Sequence, residues 1–229
     1  MSRVLKVWEL EGILFEAVLA ETDQEFIDWY SLRYRVFCLT TKPKETLRYP
    51  PENFPDQLEH GKEDKYSAGI LLYVTENSKR RLIGGLRLIP CEKGYFIEGD
   101  KFNGEIIKLP ETHRGFPVQA SKTFEASRLT GYLYQLPSKT QYAVTSTMLN
   151  EAGILYTLEV GRDYWVCVIN HHVAERGRSE GWLFDSLIEG VCKFHNTWSE
   201  ACIIPLRLMT LNTVPVYSED DLRKMGIVV

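Results

Sequence analysis

The order of three segments constrains this chain most. The stretch FEASRLTGYL, residues 124–133, precedes a run with apolar residues at helical spacing, Thr140–Glu159, and then the dense apolar run DYWVCVIN, residues 163–170. A strand, a helix and a strand in that order place the two strands parallel, joined by a crossover. Gly161 stands where the helix must stop. The flanking Phe124, Leu129, Tyr132 and Leu133 read as a largely buried strand, since strands favour aromatic and branched residues.

The rest of the chain extends that unit. Ile13–Ala20 reads as a first strand, and Thr22 followed by Glu25 is a capping-box pattern. Apolar and aromatic residues recurring from Phe26 to Phe37 predict a helix over Asp23–Phe37. Thr40–Ala68 carries four prolines and no period, so it reads as a long loop of the kind that is often functional. Gly69–Thr75 and Arg81–Pro90 form a hairpin around residues 76–80, and Gly84-Gly85 inside its second strand signals a bulge or the close approach of another backbone. His171–Trp182 and Leu183–His195 read as helices. ACIIPLRLMTL reads as a final strand that Pro205 confines to an edge or a break, and Ser218 as the cap of a last short helix, SEDDLRKMG. No repeat or interdomain linker is visible. The expectation is a single α/β (α+β) domain over residues 1–229, with a mixed sheet.

Charge on the apolar elements is what points to function. FEASRLTGYL carries Glu125, Ser127 and Arg128, RLIGGLRLIP carries Arg87, and Arg33 sits on the aromatic stripe of the first helix. In a strand Glu125 and Ser127 share a face and Arg128 takes the other, where it could meet a carboxylate. Two acidic groups stand ready to neutralise the arginines: Glu59 with Glu63 and Asp64, and Glu125. One such arginine is weak evidence, and a structural ion pair is the plain alternative. Three of them with acids suggest a buried polar network at a cleft.

Composition closes other routes. With 229 residues, 44% hydrophobic and 25% charged, and a net charge of -4, the chain reads as an ordinary globular protein without a basic field for nucleic acid. The five cysteines (Cys38, Cys91, Cys167, Cys192 and Cys202) are an odd number with no C-x-x-C pair, which argues for reduced thiols in a cytoplasmic setting and against a disulfide framework or zinc. Cys167 reads as a small buried hydrophobe. No run of about 18 apolar residues predicts membrane insertion. HHVAE, residues 171–175, lacks the H-E-x-x-H spacing, so no metal is expected.

The succession RYRVF, KEDKYS, GGLRLIP and EASRL resembles the acyl-homoserine lactone (autoinducer) synthases and their relatives, the N-acyl amino acid synthases and the exosortase-associated acyltransferases. The resemblance covers about residues 20–195, and FPDQLEHGKEDKYS is most similar to the exosortase-associated group. It implies a GNAT-like three-layer domain with a mixed, splayed central sheet flanked by helices. It implies autoinducer synthesis for quorum sensing, or a related N-acyl amino acid. Carried over by motif, Arg33 and Phe37 shape an acceptor pocket, Asp64 is the first acid of D-x-x-D, Arg87 ties the network, and Glu125, Ser127 and Arg128 are the E-x-S-R motif. Two departures fall on the S-adenosylmethionine pocket: the second acid of D-x-x-D is Ser67, and the tryptophan that follows the helix is missing from 40–48. Acyl transfer is therefore what the resemblance carries, with S-adenosylmethionine only one of the acceptors it implies.

That reaction needs a base for the amine proton and donors for the oxyanion. Glu125 is the candidate base, directly or through a water, and no cofactor need be tightly bound. A phosphate-gripping Q/R-x-x-G-x-G/A loop is degraded: the nearest stretch, RGRSEGWL, has Leu183 where a small residue belongs. This tilts the expected donor from acyl-CoA toward acyl-ACP, with an acyl carrier protein as partner received by Lys139, Arg162, Arg176, Arg178 or Lys193. The apolar tunnel is expected beside Thr140–Glu159 and DYWVCVIN. The alternatives are an exosortase-associated enzyme of unknown acceptor, or a non-catalytic module that senses acyl chains or amino acids.

Overall fold

A computed structural model of the chain describes residues 2–39, 49–94, 101–102, 104–194, 197–209, 216–218, 220 and 223. Strands β1 (Arg3–Leu10) and β2 (Ile13–Leu19) form a hairpin on Glu11 and Gly12, both with positive φ. Helix α1 (Asp23–Tyr34) opens on the expected capping box: the Glu25 N–H donates to Thr22 Oγ1 at 3.3 Å and the Thr22 N–H to Glu25 Oε2 at 3.1 Å. Its continuation widens into a π-helical turn, Arg35–Leu39, which carries Phe37. Such turns often mark functional positions.

β3 (Ala68–Glu76) and β4 (Lys79–Pro90) make the expected hairpin, tightened to the two-residue turn Asn77-Ser78 with φ of 49° and 64°. That is the primed geometry that matches strand twist. Two small hairpins follow, β5 (Lys101–Phe102) with β6 (Glu105–Ile106), and β7 (Thr112–His113) with β8 (Phe116–Pro117). β9 (Thr123–Gly131) leads through β10 (Leu133–Gln135) and β11 (Gln141–Val144) to helix α2 (Thr145–Glu159). Then come β12 (Tyr164–Asn170), helix α3 (His171–Ser179), β13 (Asp185–Ser186), β14 (Cys192–Phe194), β15 (Thr197–Pro205) and β16 (Val216–Ser218).

The large sheet has the order β1-β2-β3-β4-β9-β12-β15-β13, with β14 also on β15. Every pairing in it is antiparallel except β9 with β12, which is parallel as the strand–helix–strand order requires. Helix α2 covers one face, where Gly153 lets it close on Leu86 and Trp165; an added Cβ would sit 2.6 Å from Leu86. Helix α1 covers the other. There the Trp29 ring presses on β3 and β4 so closely that a Cβ at Gly85 would lie 2.4 Å from its Nε1. At Gly85 the close neighbour is thus a side chain, whereas at Gly84 it is backbone, a Cβ there lying 2.7 Å from the Thr130 carbonyl oxygen, and the β4 register with each neighbour shifts beside the pair. Helices cover both faces of the mixed sheet, the three-layer arrangement expected from the sequence.

Several expectations are corrected. Residues 183–195 do not form a helix among those described: Asp185, Ser186 and Cys192–Phe194 pair with β15, so the need to complete a sheet edge overrides the local pattern. The long helix starts at Thr145, because Gln141–Val144 pair with β10 and β16. The N-terminal β1 was not anticipated, its apolar residues being interrupted by exposed charge. Leu129, at the bulged end of β9, and Tyr132, between β9 and β10, are exposed rather than buried. The last strand ends at Pro205 and turns into a short 3-10 helix, Leu206–Leu208. Residues 40–48 of the long loop, and the terminal helix SEDDLRKMG apart from Ser218, Asp220 and Arg223, lie outside the described residues.

Candidate active site

The parallel pairing of β9 and β12 covers three positions and ends at Glu125 opposite Val166. Beyond it both strands run on, β9 to Gly131 and β12 to Asn170, each held by its outer neighbour: Ser127 by Arg87 of β4, Ile169 and Asn170 by Glu200 and Ser199 of β15. The sheet therefore splits open from Glu125 onward. A cavity of about 360 Å³ occupies the split, lined by Glu125–Leu129 on one side and Cys167–Asn170 on the other. The β9–β12 pairing ends there, and the peptide groups that face the split are placed to serve a ligand.

The cavity reaches both faces of the sheet. Leu86, Trp165 and Cys167 belong to the core under α2, and Ser146, Thr147 and Asn150 of α2 complete that wall. Leu86 and Leu88 face α2, so alternation turns Arg87 between them toward α1. Ser127, the cross-strand partner of Arg87, and Glu125, two residues away, share that face. Phe37 closes the cavity on the α1 side.

On the α1 face the sequence-predicted residues converge. Arg33, fully buried, donates from Nη1 and Nη2 to the two oxygens of Asp64 at 2.8 and 3.1 Å, and from Nε to Glu59 at 2.5 Å. The bidentate geometry is the strongest form of such a pair. Arg87 reaches Asp64 through Nη1 at 3.4 Å and donates from Nε to Ser127 Oγ at 3.1 Å. Arg128 donates to the other oxygen of Glu59 at 3.1 Å and lies 4.5 Å from the Tyr49 ring and 5.6 Å from that of Phe37. Glu125 is 1% exposed, on the cavity wall. Three arginines thus stand among three carboxylates, Glu59, Asp64 and Glu125. Glu63 stays outside the network; its carbonyl takes the Ser67 hydroxyl at 2.7 Å, so Ser67 supplies no charge there.

Arg128 departs from the alternation expected of a regular strand. The β4–β9 register steps two residues on β4 and three on β9 between Gly85–Thr130 and Arg87–Ser127, and Arg128 has φ of 54°. This is a bulge on β9, and the extra residue swings Arg128 back to Glu59 instead of leaving it on the opposite face.

Burial and charge set the protonation states. Burial pushes the Glu59 and Asp64 carboxyls up, but Arg33 with Arg128, and Arg33 with Arg87, outweigh it and hold both below the usual carboxylate range. Burial lowers Arg87, as does the positive charge of Arg128, with Asp64 opposing. Burial pushes the Tyr30 hydroxyl, under the same network, up to about 12. Burial likewise raises the Cys167 thiol well above its ordinary value. This thiol at the cavity wall is not a ready nucleophile.

Sequence reasoning passed over Tyr49, Asn150, Trp182, Phe184 and Glu200. Only Glu200 carried a signal, an acid in an apolar strand; it is buried and accepts from Arg178 Nη1 at 3.2 Å and pairs with His171 Nδ1 at 2.5 Å. The HHVAE histidines accordingly serve α3 and its ion pairs, and no cluster of His, Cys, Asp and Glu among the described residues is arranged for a metal. Of the five basic residues expected to receive a carrier protein, three are engaged with carboxylates: Arg162 with Glu92, Arg176 with Glu180, and Arg178 with Glu200. RGRSEGWL forms the end of α3 and the cavity wall beyond it, far in sequence from the helix that follows β9. Among the described residues no helix is long and apolar enough to cross a membrane.

No protein-family model matches the chain, and no curated protein matches it. Solved structures do. BjaI, described as a CoA-dependent acyl-homoserine lactone synthase with SAM and isopentyl-CoA, is 19% identical with a TM-score of 0.55, covering 90% of this chain and 84% of that one. TofI, in a ternary complex with an inhibitor and MTA, is 13% identical with a TM-score of 0.55 over 94% of this chain and 97% of that one. The AHL synthase LasI is 16% identical with a TM-score of 0.54 over 85% and 90%. The chain has the fold of these synthases.

Proposed function

We propose that the protein is an N-acyltransferase that moves a fatty acyl group from a pantetheine thioester to the amine of a small, amino-acid-like acceptor. One observation carries this reading: the sheet splits at Glu125, and the resulting cavity joins a charged face to an apolar one. An acyl chain suits the apolar side under α2, and a polar amine suits the side of Glu125, Ser127 and Arg128, behind which Arg33, Asp64 and Arg87 are buried. The thioester carbonyl then lies in the split, beside Glu125.

The chemistry follows. The neutral amine attacks the thioester carbon, and its proton passes to Glu125 directly or through a water. Peptide N–H groups of the parting strands and the Ser127 hydroxyl, whose oxygen already accepts from Arg87, stabilise the developing oxyanion. The C–S bond breaks, the amide remains and the thiol leaves with a proton. No covalent acyl-enzyme is required, in keeping with the raised Cys167 thiol. Asp64, Arg33, Arg87 and Arg128 hold the reacting wall in place, and Phe37 bounds the acceptor side.

The donor is an acyl chain on an acyl carrier protein or on coenzyme A. Three of the five candidate basic residues are paired with carboxylates, so those residues do not by themselves favour the carrier protein over coenzyme A. Ser67 favours an acceptor other than the S-adenosylmethionine of the lactone synthases, because its hydroxyl is turned to a backbone carbonyl.

Mass spectrometry of the purified protein with both donor types and a panel of amino acids, S-adenosylmethionine included, tests the reading. The expected result is an N-acylated amine that Glu125→Gln reduces by about 10²–10⁴-fold with the fold intact. Turnover of Glu125→Gln at the wild-type rate would remove Glu125 as the base. Ligand binding without any acylated product, in wild type and variant alike, would favour the sensing module.

A further inference from the structure

The apolar end of the cavity is bounded by a small device outside the charged network. Phe184, buried, and Trp182, half-buried, both line the cavity and stack with ring centroids 5.5 Å apart and planes 12° from parallel. Three contacts fix them. The backbone N–H of Trp182 donates to the Gly177 carbonyl at 2.8 Å. Arg178 Nε donates to the Phe184 carbonyl at 2.8 Å, while its guanidinium is anchored on buried Glu200 of β15. The Phe184 ring lies on Gly177 so tightly that a Cβ there would stand 2.4 Å from it. That distance forbids any side chain at 177 unless the ring moves.

Resting on the reading above, we propose that Phe184, seated on Gly177 and tied down through Arg178, sets the length of acyl chain the protein accepts. Its position comes from two elements that do not touch the reacting atoms, so length selection is separable from chemistry. The direction of each change follows from the contacts. Removing the ring opens space continuous with the cavity and admits a longer chain. A methyl at Gly177 drives the ring off its seat, toward the cavity, and shortens the accepted chain. Loss of the Arg178 tie frees the loop and blurs the preference. Arg178 is a positioning residue here.

The test is binding, read apart from turnover. Saturated acyl-CoA thioesters of increasing length are titrated into wild type, Phe184→Ala, Phe184→Leu and Gly177→Ala, following the intrinsic fluorescence of the cavity tryptophans. Wild type is expected to gain affinity with each added methylene up to a limit. Phe184→Ala is expected to extend that limit by at least two methylenes, a gain of about fifteen-fold for the longer chain from the roughly 0.8 kcal/mol that burying each methylene contributes. Gly177→Ala is expected to lower the limit, and Phe184→Leu to extend it by less. If Phe184→Ala does not fold, Phe184→Leu and Gly177→Ala decide. An unchanged limit in folded variants overturns the proposal, as does a wild type that binds no chain of any length. Length-limited binding that shifts as expected, with no acyl transfer by any variant, supports Phe184 while removing the transferase reading.

Discussion

The two faces of the split sheet are built by opposite means. On the α1 face, Arg33, Arg87 and Arg128 are buried or nearly so among carboxylates, and geometry is held by charged hydrogen bonds. On the α2 face Leu86, Trp165, Phe184 and Ile204 make most of the wall, completed by Ser146, Thr147 and Asn150, and geometry is held mainly by packing. The first arrangement is directional: each guanidinium has a preferred carboxylate and tolerates no neutral substitute. The second is volumetric: hydrophobic residues of the right size can be exchanged at modest cost. A protein that must orient one polar substrate while admitting chains of some chosen length has reason to use each on its own side.

The largest effect that would break this contrast is on the charged face. Arg33→Met leaves Glu59 and Asp64 without their main partner inside the protein. A loss of about 3–5 kcal/mol in urea unfolding is expected. A loss below about 1 kcal/mol would mean that the network is an ornament of the fold. On the apolar face the corresponding change is smaller. The Trp165 indole N–H donates to Thr157 Oγ1 at 2.8 Å in the core under α2. Thr157→Val keeps the volume and strands that buried donor, for an expected loss of about 1–3 kcal/mol by the same measurement.

The smallest and broadest effect is on pH. Glu59 and Asp64 have carboxyls held below their ordinary values of 4.5 and 3.8. Groups depressed in the folded state add stability that is fully present above those values and is lost as pH falls through the lowered range. Urea midpoints should therefore drop between pH 7 and pH 3, and drop less in Glu59→Gln, which has one fewer depressed acid to titrate. An equal drop in both would place the acid sensitivity elsewhere.

The charged face was legible in the sequence for a physical reason. A guanidinium in an apolar element is costly unless paired, so Arg33, Arg87 and Arg128 call for carboxylate partners. Asp64 and Glu59 were among the acids that sequence offered, and they are the ones the arginines reach. The apolar wall gave no such warning: Trp182 and Phe184 look like any core aromatics, and the segment holding Phe184 was expected to be helical. Its actual path depends on an edge of β15 more than ten residues away in sequence.

By itself the sequence determined the parallel pair, since a strand, a helix and a strand of those lengths have one favoured handedness and connection. It also determined which charges had to be buried together. Only the tertiary structure decided where the parallel pair parts. Separation at Glu125 arises because β9 and β12 are each held by a different outer neighbour, a balance no local pattern records. The bulge at Arg128 is likewise a cross-strand event: one extra residue against β4 returned that guanidinium to the network, against the alternation that its own strand would have imposed.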